Sequence, residues 1–500
     1  MKSEVTFGER FVADAESTKA RSVRGLLTLI VCAASLLAGY EAADADELPK
    51  TRPNIVFIFA DDLTFDALGV VGHPQVRTPN LDALVRQGTR FTHAYNMGSW
   101  SGAVCIASRA MLNTGRLLWH AERAQRNLGE ELAAGRLWSE QFRRAGYRTY
   151  MTGKWHVNID PRRLFAATAH VRPGMPEQTL AGYNRPLANQ PDPWSPSDPK
   201  WGGFWEGGKH WSEVLADDAE LFLTDAARAD QPFFMYLAFN APHDPRQSPA
   251  RFVQMYPEDQ IQLPENYQPE YPYKDGIGCS PELRDEFLAP FPRTEAAVRV
   301  HRQEYYAIIS HLDEQVGRIL KALDATGKRD NTYIVFTADH GLAVGRHGLM
   351  GKQNMYDHSV RVPFAIVGPN IPVGEQRTAP IYLQDIVPTT MELAGIEIPG
   401  FVEFQTLLPL IRDETLPGRK EIYGAYLDKQ RMVTAEGYKL IVYPEIKRVR
   451  LYHLDRDPLE QHDLAGQPEL KDVTSRLIER LRGLQQECGD PMPLGDWLDG

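Results

Sequence analysis

The sequence predicts an α/β protein in which a large mixed, mostly parallel sheet is sandwiched by helices, with a small antiparallel α+β subdomain at the C-terminus. Three observations support this fold class. Several near-continuous apolar runs are typical of strands buried on both faces. Helical stretches separate these runs, as expected where crossovers join parallel strands. From about residue 415 the pattern changes to short runs of alternating apolar and polar residues, which is typical of an antiparallel sheet.

The first strand is predicted at residues 54–60, where NIVFIFA ends at a pair of aspartates. A helix is predicted over residues 78–88, with Thr78 as its N-cap, Pro79 at its first position and Gly88 beyond its end. Three further strands of this main domain, residues 52–412, are predicted at 232–239, 332–338 and 363–368. A long helix is predicted at 302–323.

The C-terminal region, residues 415–500, is predicted to form the small subdomain. Its alternating runs lie at residues 421–427, 431–443 and 448–454, and an amphipathic helix follows at roughly 470–486. In the main domain, two segments rich in Pro, Trp or Gly show little periodicity, at 184–208 and 257–293. We expect both to be long loops that cover the functional site.

The N-terminus carries a predicted secretory signal peptide, residues 1–45. An apolar run at 25–40 follows Arg21 and Arg24, and Ala43-Asp44-Ala45 offers small residues at the two positions that cleavage requires. The run is too short to span a bilayer comfortably, although a retained anchor is the alternative reading. We therefore expect a periplasmic or secreted protein with no stable membrane span after cleavage.

The composition excludes several classes of protein. Hydrophobic residues make up 43% of the chain and charged residues 24%, which is an ordinary globular balance. Lys and Arg number 55 and Asp and Glu 66, so the net charge of −11 argues against a nucleic-acid partner. The four cysteines, at positions 32, 105, 279 and 488, are too widely spaced for a CxxC zinc site, and a disulfide between Cys279 and Cys488 is left open.

Reactive residues follow three of the predicted strands. They are Asp61-Asp62, Asn240 to His243, and Asp339-His340. In a parallel sheet the ligand site lies beyond the carboxyl ends of the strands, so these residues are expected to meet at one edge. Carboxylates with one imidazole favour Ca²⁺ or Mg²⁺. Taken alone, the aspartate pair could equally be a helix N-cap.

The segment CIASRAMLNTGR, residues 105–116, is the most informative stretch of the chain. It places Cys105 just before a predicted helix start, with Arg109 one turn further on. The positive helix end and the guanidinium would stabilise an anion there. Without other context, Cys105 could be a small buried residue beside two surface arginines.

This segment resembles the signature of the sulfatase family, C-x-[PA]-S-R followed by x-x-x-L-T-G-R. Ala107 stands where most members have proline, and Asn113 departs from the common leucine. Further motifs match the family in the same order along the chain: DD at 61–62, GKWH at 153–156, APH at 241–243, DHG at 339–341, GKQNMY at 351–356, YDHSVRVPFAIVGP at 356–369 and LYHLDRDPLEQHDL at 451–464. Each motif is weak to moderate alone, but their shared order is specific.

The resemblance implies an alkaline-phosphatase-like fold whose catalytic domain is residues 52–412. It implies that a maturation enzyme oxidises Cys105 to formylglycine, whose hydrate is the nucleophile. It also implies one bound Ca²⁺ ion, with Mg²⁺ as the alternative. The metal ligands carried over from the family are Asp61, Asp62, Asp339 and His340, with the modified Cys105 completing the shell.

The resemblance also assigns roles to five further residues. Arg109 would hold the hydrated aldehyde, and Lys154 would bind the sulfate. His156 would deprotonate the remaining hydroxyl and so expel sulfate. His243 would hydrogen bond to the sulfate, and His243 and Lys352 would assist departure of the alcohol.

The expected activity is hydrolysis of sulfate monoesters, with a sulfated small molecule or an extracellular glycan as substrate. Two alternatives stay open: a phosphonate or phosphate monoester hydrolase of the same superfamily, and a non-catalytic binder with unmodified Cys105. The loops at 184–208 and 257–293 are expected to set specificity. Four tryptophans in this region could stack on sugar rings or simply pack the loops, namely Trp194, Trp201, Trp205 and Trp211.

Overall fold

The computed structural model describes residues 52–177 and 179–498. The signal peptide predicted for residues 1–45 lies outside the described residues. The strands in chain order are β1 Asn54–Ala60, β2 Thr89–Tyr95, β3 Gly98–Ser99, β4 Arg148–Lys154, β5 Ala167–Arg172, β6 Trp205–Glu206, β7 Lys209–His210, β8 Phe233–Ala238, β9 Thr332–Ala338, β10 Arg361–Val367, β11 Glu375–Arg377, β12 Ile381–Tyr382, β13 Glu421–Tyr426, β14 Gln430–Ala435, β15 Tyr438–Tyr443 and β16 Arg448–His453. The α-helices are α1 Pro79–Arg86, α2 Val104–Thr114, α3 Leu118–Gln125, α4 Leu128–Ala133, α5 Trp138–Arg144, α6 Trp211–Ala227, α7 Ala250–Val253, α8 Glu295–Ala325, α9 Asp357–Val360, α10 Ile386–Leu393, α11 Leu408–Arg412 and α12 Lys471–Cys488.

A nine-stranded sheet forms the centre of the fold, in the order β11-β2-β10-β9-β1-β8-β4-β5, with β12 paired to β2. The five strands from β9 to β5 are mutually parallel, and β10 runs antiparallel to both of its neighbours. All seven residues of β1 are buried, which explains its apolar sequence. The predicted mixed, mostly parallel sheet is therefore confirmed.

A second sheet contains the C-terminal strands in the order β16-β15-β14-β13-β3. Strands β13 to β16 form an antiparallel meander, as the alternating sequence predicts. The fifth strand, β3, comes from residues 98–99 and runs parallel to β13. A Cβ atom on Gly98 would lie 2.0 Å from the carbonyl oxygen of Ala425, so only glycine permits this pairing. A separate subdomain over residues 415–500 stays a proposal.

The predicted start of α1 is confirmed, but a residue other than Thr78 satisfies its first N–H groups. Thr78 occupies the N-cap position, but its side chain makes no capping hydrogen bond. Instead, the carboxylate of Asp313 in α8 accepts hydrogen bonds from the backbone N–H groups of Asn80 and Leu81, at 3.2 and 2.7 Å. Thr78 donates its hydroxyl to Asp82. A carboxylate far away in sequence therefore satisfies the free N–H groups of this helix.

The thiols of Cys279 and Cys488 are both free and buried, so the disulfide left open by the sequence is not formed. Burial raises the pKa of both thiols, that of Cys488 to about 12, which keeps them protonated. Within residues 52–177 and 179–498, no helix has the length and apolar character that a membrane crossing needs.

Candidate active site

Four adjacent strands deliver the predicted site residues to one edge of the main sheet. Asp61 and Asp62 follow β1, and Asp339 and His340 follow its neighbour β9. On the other side of β1, β8 leads into His243, and β4 ends at Lys154. The predicted convergence is therefore found, and its cause is the parallel register of these strands.

Three carboxylates at this edge are fully buried, those of Asp61, Asp62 and Asp339. Potential ligand atoms of Asp61, Cys105, Asp339 and His340 all lie within 4.8 Å of one another. A second group, made of Asp61, Asp62, Cys105 and His243, meets the same criterion. The sequence assigned His243 to the sulfate and the leaving group and did not suggest it as a neighbour of the candidate metal ligands.

Cationic side chains surround these carboxylates. Lys154 pairs with Asp61, and the Nε atom of Arg109 lies 3.1 Å from Asp339 Oδ2. The Nζ atom of Lys352 contacts both carboxylate oxygens of Asp62, at 2.8 and 3.0 Å. These ion pairs offset part of the cost of burying the charges.

The donor set fits a divalent cation. Asp61 Oδ1 is buried and has no hydrogen-bond partner in the structure. Burial and the nearby Asp339 carboxylate raise the pKa of Asp61 well above its usual value. A buried carboxylate in this position needs a further positive charge to stay ionised, and hard oxygen ligands are those that Ca²⁺ and Mg²⁺ prefer.

Cys105 is the second residue of α2 and is only 2% exposed. Its Sγ atom lies 3.4 Å from both Lys352 Nζ and His340 Nε2. Burial alone would raise the pKa of the thiol, but Lys154, Lys352 and His340 outweigh burial and hold the pKa well below its usual value. The site therefore favours an anionic group at this position.

One turn further along α2, Arg109 is fully buried. It links two elements of the site, because its Nη1 atom donates to the backbone oxygen of Lys154 at 2.8 Å while Nε donates to Asp339. The side-chain amide of Asn113, which departs from the family signature, donates to the backbone oxygen of Arg109 at 2.8 Å. The presence of Asn113 in place of the family's leucine therefore does not disturb α2 or the position of Arg109.

A pocket of about 200 Å³ lies over Cys105. Four of the predicted residues line it: Cys105, His156, His243 and Lys352. Arg109 and Lys154 do not, since both are fully buried beneath it. The remaining lining residues were not predicted, and they are Gly102, Ala103, Gly174, Met175, Leu283, Arg284, Asp285 and Gln353.

The loop at 257–293 contributes Leu283, Arg284 and Asp285 to this pocket, as its predicted position over the site implies. The described residues of 184–208 do not line it. Within this loop Trp194 stacks on Trp201 at 5.9 Å, and beyond it Trp211, the first residue of α6, lies against the guanidinium of Arg172. The geometry favours loop packing as their role. The only sequence signal for Arg284 was its position in the long loop at 257–293. Gln353 had a stronger signal, because it lies inside the GKQNMY motif.

Gly174 covers the His156 ring. A Cβ atom on Gly174 would lie 2.4 Å from two atoms of that ring, and Asn240 holds the same loop through the Pro173 carbonyl oxygen at 3.2 Å. We expect Gly174→Ala to displace His156 and lower kcat about 100-fold, because small displacements in a catalytic site are costly. Steady-state kinetics on a sulfate ester would measure this.

Gly129→Ala is the matched control, since nothing lies within 4 Å of the added carbon and the backbone there is not left-handed. This control should keep the activity of the unmodified protein. If Gly174→Ala also kept it, the close contact with His156 would have no catalytic consequence.

Comparison with known families gives two matches. A model of the Sulfatase family matches residues 53–396. A second model, described as N-sulphoglucosamine sulphohydrolase, C-terminal, matches residues 345–487. Together they cover both the main sheet and the C-terminal meander.

Individual proteins agree with these matches. The chain is 30% identical over 474 residues to an ulvan-active sulfatase of Formosa agariphila, covering 89% of this chain and 84% of that protein. It is 25% identical to an N-acetylglucosamine-6-O-sulfatase of Bacteroides thetaiotaomicron, over 88% of both chains.

Two solved structures share the fold. The first, determined in complex with its substrate D-glucosamine-2-N,6-O-disulfate, has a TM-score of 0.70 at 24% identity, covering 89% of this chain and 100% of that one. The second, a phosphonate monoester hydrolase of Agrobacterium radiobacter, has a TM-score of 0.68 at 23% identity, covering 87% of this chain and 96% of that one. At these identities the likeness concerns the fold alone.

Proposed function

This chain belongs to the sulfatase family and is a sulfuric ester hydrolase, and from that premise we propose that it removes sulfate from an extracellular carbohydrate. The proposed nucleophile is formylglycine made from Cys105 by a maturation enzyme, with one Ca²⁺ ion beside it. The observation that carries this proposal is the position of Cys105, next to three buried carboxylates and several cations at the floor of a single pocket.

The residues proposed to hold the ion are Asp61, Asp62, Asp339 and His340, with the converted Cys105. A bound Ca²⁺ ion would supply positive charge to the sulfate oxygens and to the nucleophile. The formylglycine hydrate would supply two hydroxyl groups on one carbon, one to attack sulfur and one to drive sulfate out. Lys352, whose pKa Asp62 and Cys105 raise despite burial, stays protonated beside this position.

Proton movement is proposed for two histidines. The Nδ1 atom of His243 lies 2.7 Å from the backbone oxygen of Asp244 and donates to it, which leaves Nε2 facing the site. We propose that the ring, when protonated on both nitrogens between the Asp62 and Asp244 carboxylates, delivers its Nε2 proton to the departing alcohol and is left neutral. His156 lines the same pocket as Cys105 and is proposed to accept the proton of the second hydroxyl as sulfate leaves and the aldehyde forms again.

The carbohydrate assignment rests on the relatives and on the predicted secretion. The relatives named above are an ulvan-active sulfatase and an N-acetylglucosamine-6-O-sulfatase. A periplasmic or secreted location, inferred from the signal peptide predicted at residues 1–45, would give the protein access to such glycans. Cell fractionation would test the location, and recovery only in the cytoplasm would contradict it.

The function is tested by assaying the purified protein on sulfated glycans, aryl sulfates, choline sulfate and a phosphonate monoester. The protein should be produced with and without a formylglycine-generating enzyme, and the peptide containing Cys105 should be analysed by mass spectrometry. Turnover of a sulfated glycan by converted protein alone supports the proposal. Turnover only of aryl sulfates and choline sulfate would overturn the carbohydrate assignment, and preferred turnover of the phosphonate would favour the phosphonate hydrolase.

Metal removal is a further test of the proposed Ca²⁺ site. We expect a chelator to abolish turnover and lower Tm, because the three buried carboxylates would then repel one another without compensation. Added Ca²⁺ should restore both, and comparison with Mg²⁺ would show which ion the site prefers. Unchanged activity and unchanged Tm after chelation would contradict a metal at this site.

A further inference from the structure

We infer that Glu286 is a positioning residue for Lys352, acting through the backbone of residues 350–352. This inference rests on the proposed function and on the role that the family resemblance gives Lys352, which is to stabilise the oxygen of the departing alcohol. The sequence suggested only that the loop at 257–293 sets specificity. In the structure, the carboxylate of Glu286 in that loop is fully buried and contacts the backbone that immediately precedes Lys352.

The contacts of Glu286 are directed at the backbone just before Lys352. Its Oε2 atom accepts a hydrogen bond from the N–H of Met350, and Oε1 accepts one from the N–H of Gly351, both at 2.9 Å. Two bonds from one carboxylate define both the position and the orientation of this turn. Lys352 is the next residue, so its Cα position follows from them.

The carboxylate is itself held by Arg293, with which it forms an ion pair that is fully buried on both sides. The guanidinium also donates to the backbone oxygen of Glu286 at 2.8 Å and to that of Gly348 at 3.2 Å. It lies 3.5 Å from the centre of the Phe291 ring. Arg293 therefore connects the loop that contains Glu286 to the segment around Gly348, and it leaves Glu286 little freedom to move.

Gln353 completes the arrangement on the other side of the lysine. Its Oε1 atom accepts from the N–H of Lys352 at 2.9 Å. Its Nε2 atom donates to Asp285 at 2.6 Å and to the backbone oxygen of Gly102 at 3.1 Å. We call Glu286, Arg293 and Gln353 the lysine clamp, and it ties Lys352 to the segment that precedes Cys105.

Gly351 shows how closely the clamp fits. A Cβ atom there would lie 2.5 Å from Gln353 Oε1, 2.9 Å from the Asp285 Cβ and 3.0 Å from Glu286 Oε1. All three neighbours belong to the clamp or to the residue beside it. Only a residue without a side chain allows the carboxylate and the amide to reach the backbone together.

The test compares leaving groups. Glu286→Gln places an amide –NH₂ against a backbone N–H, so one of the two bonds is lost and Lys352 moves. Displacement of Lys352 should slow the hydrolysis of a sugar sulfate far more than that of 4-nitrophenyl sulfate, because the sugar alkoxide is a poor leaving group. We expect kcat on the sugar sulfate to fall about 100-fold and kcat on the aryl sulfate to fall less than about fivefold.

Glu286→Gln also leaves Arg293 without its partner, so this variant could fail to fold. Gly351→Ala is the second variant, because it disturbs the same contacts while keeping the buried ion pair. Asp385→Asn is the matched control: Asp385 is a buried carboxylate that accepts two backbone N–H bonds, from Tyr382 and Gln405, and pairs with Arg419, but it does not line the pocket.

The outcomes separate the two proposals. A selective loss on the sugar sulfate in Glu286→Gln or Gly351→Ala, and equal effects on both substrates in Asp385→Asn, supports the positioning role. Equal losses on both substrates in the clamp variants, or no loss in a folded clamp variant, would overturn it. If the unmodified protein hydrolyses neither ester after conversion of Cys105, the proposed function fails instead.

Discussion

Replacement of Cys105 by serine is expected to lower kcat on a sulfate ester by on the order of 10⁴-fold or more while leaving the fold intact. Serine has nearly the volume of cysteine and fits the second position of α2. It keeps one hydroxyl but cannot become an aldehyde hydrate, so it lacks the second hydroxyl that the proposed mechanism needs to expel sulfate. Lys352 remains in the pocket to bind the substrate, and Lys154 and Arg109 keep their positive charges next to position 105.

Multiple-turnover kinetics and thermal unfolding would measure both parts of this expectation. Cys488→Ser is the control, because Cys488 is also a free buried thiol but lies at the end of α12 and does not line the pocket. The control should retain full turnover. Steady multiple turnover by Cys105→Ser, at a rate close to that of the unmodified protein, would rule out Cys105 as the source of the nucleophile.

Asp62→Asn is expected to reduce kcat/KM about 10³-fold. The Asp62 carboxylate contacts Lys352 Nζ with both oxygens and lies 3.3 Å from His340 Nε2. The neutral amide would weaken the proposed Ca²⁺ site and would leave the buried ammonium of Lys352 without its main counter-charge. Bound calcium per chain, measured by elemental analysis, should fall together with activity.

Asp259→Asn provides the matched control, since Asp259 is an exposed carboxylate in a short surface turn. It should change neither the calcium content nor the kinetics. Should Asp62→Asn bind calcium as tightly as the unmodified protein, Asp62 is not a ligand. Any remaining loss of activity would then be due to Lys352.

The elements that the sequence predicted well are those whose neighbours are uniformly apolar. Residues 332–338 were predicted as a strand, and β9 has the same bounds. The helix predicted at 302–323 is the middle of α8, which spans Glu295–Ala325. Burial on both faces of the sheet leaves an unmistakable apolar run, so such strands are readable without tertiary information.

The elements that the sequence missed depend on partners far away along the chain. The carboxylate that accepts hydrogen bonds from the first N–H groups of α1 belongs to Asp313, more than 230 residues later. The β3 strand has two residues and exists because β13 pairs with it. A two-residue strand has no periodicity to detect, and a distant carboxylate leaves no local pattern.

By itself, the sequence determined the fold class, the strands whose ends carry the site, and the membership of the family through Cys105 and the motifs around it. It did so because local apolar patterns and short motifs are properties of neighbouring residues. Only the tertiary structure decided which residues line the pocket, that Arg109 and Lys154 lie beneath it, and that Glu286 supports the turn before Lys352. Those are properties of distance and burial, and they arise only when segments hundreds of residues apart pack together.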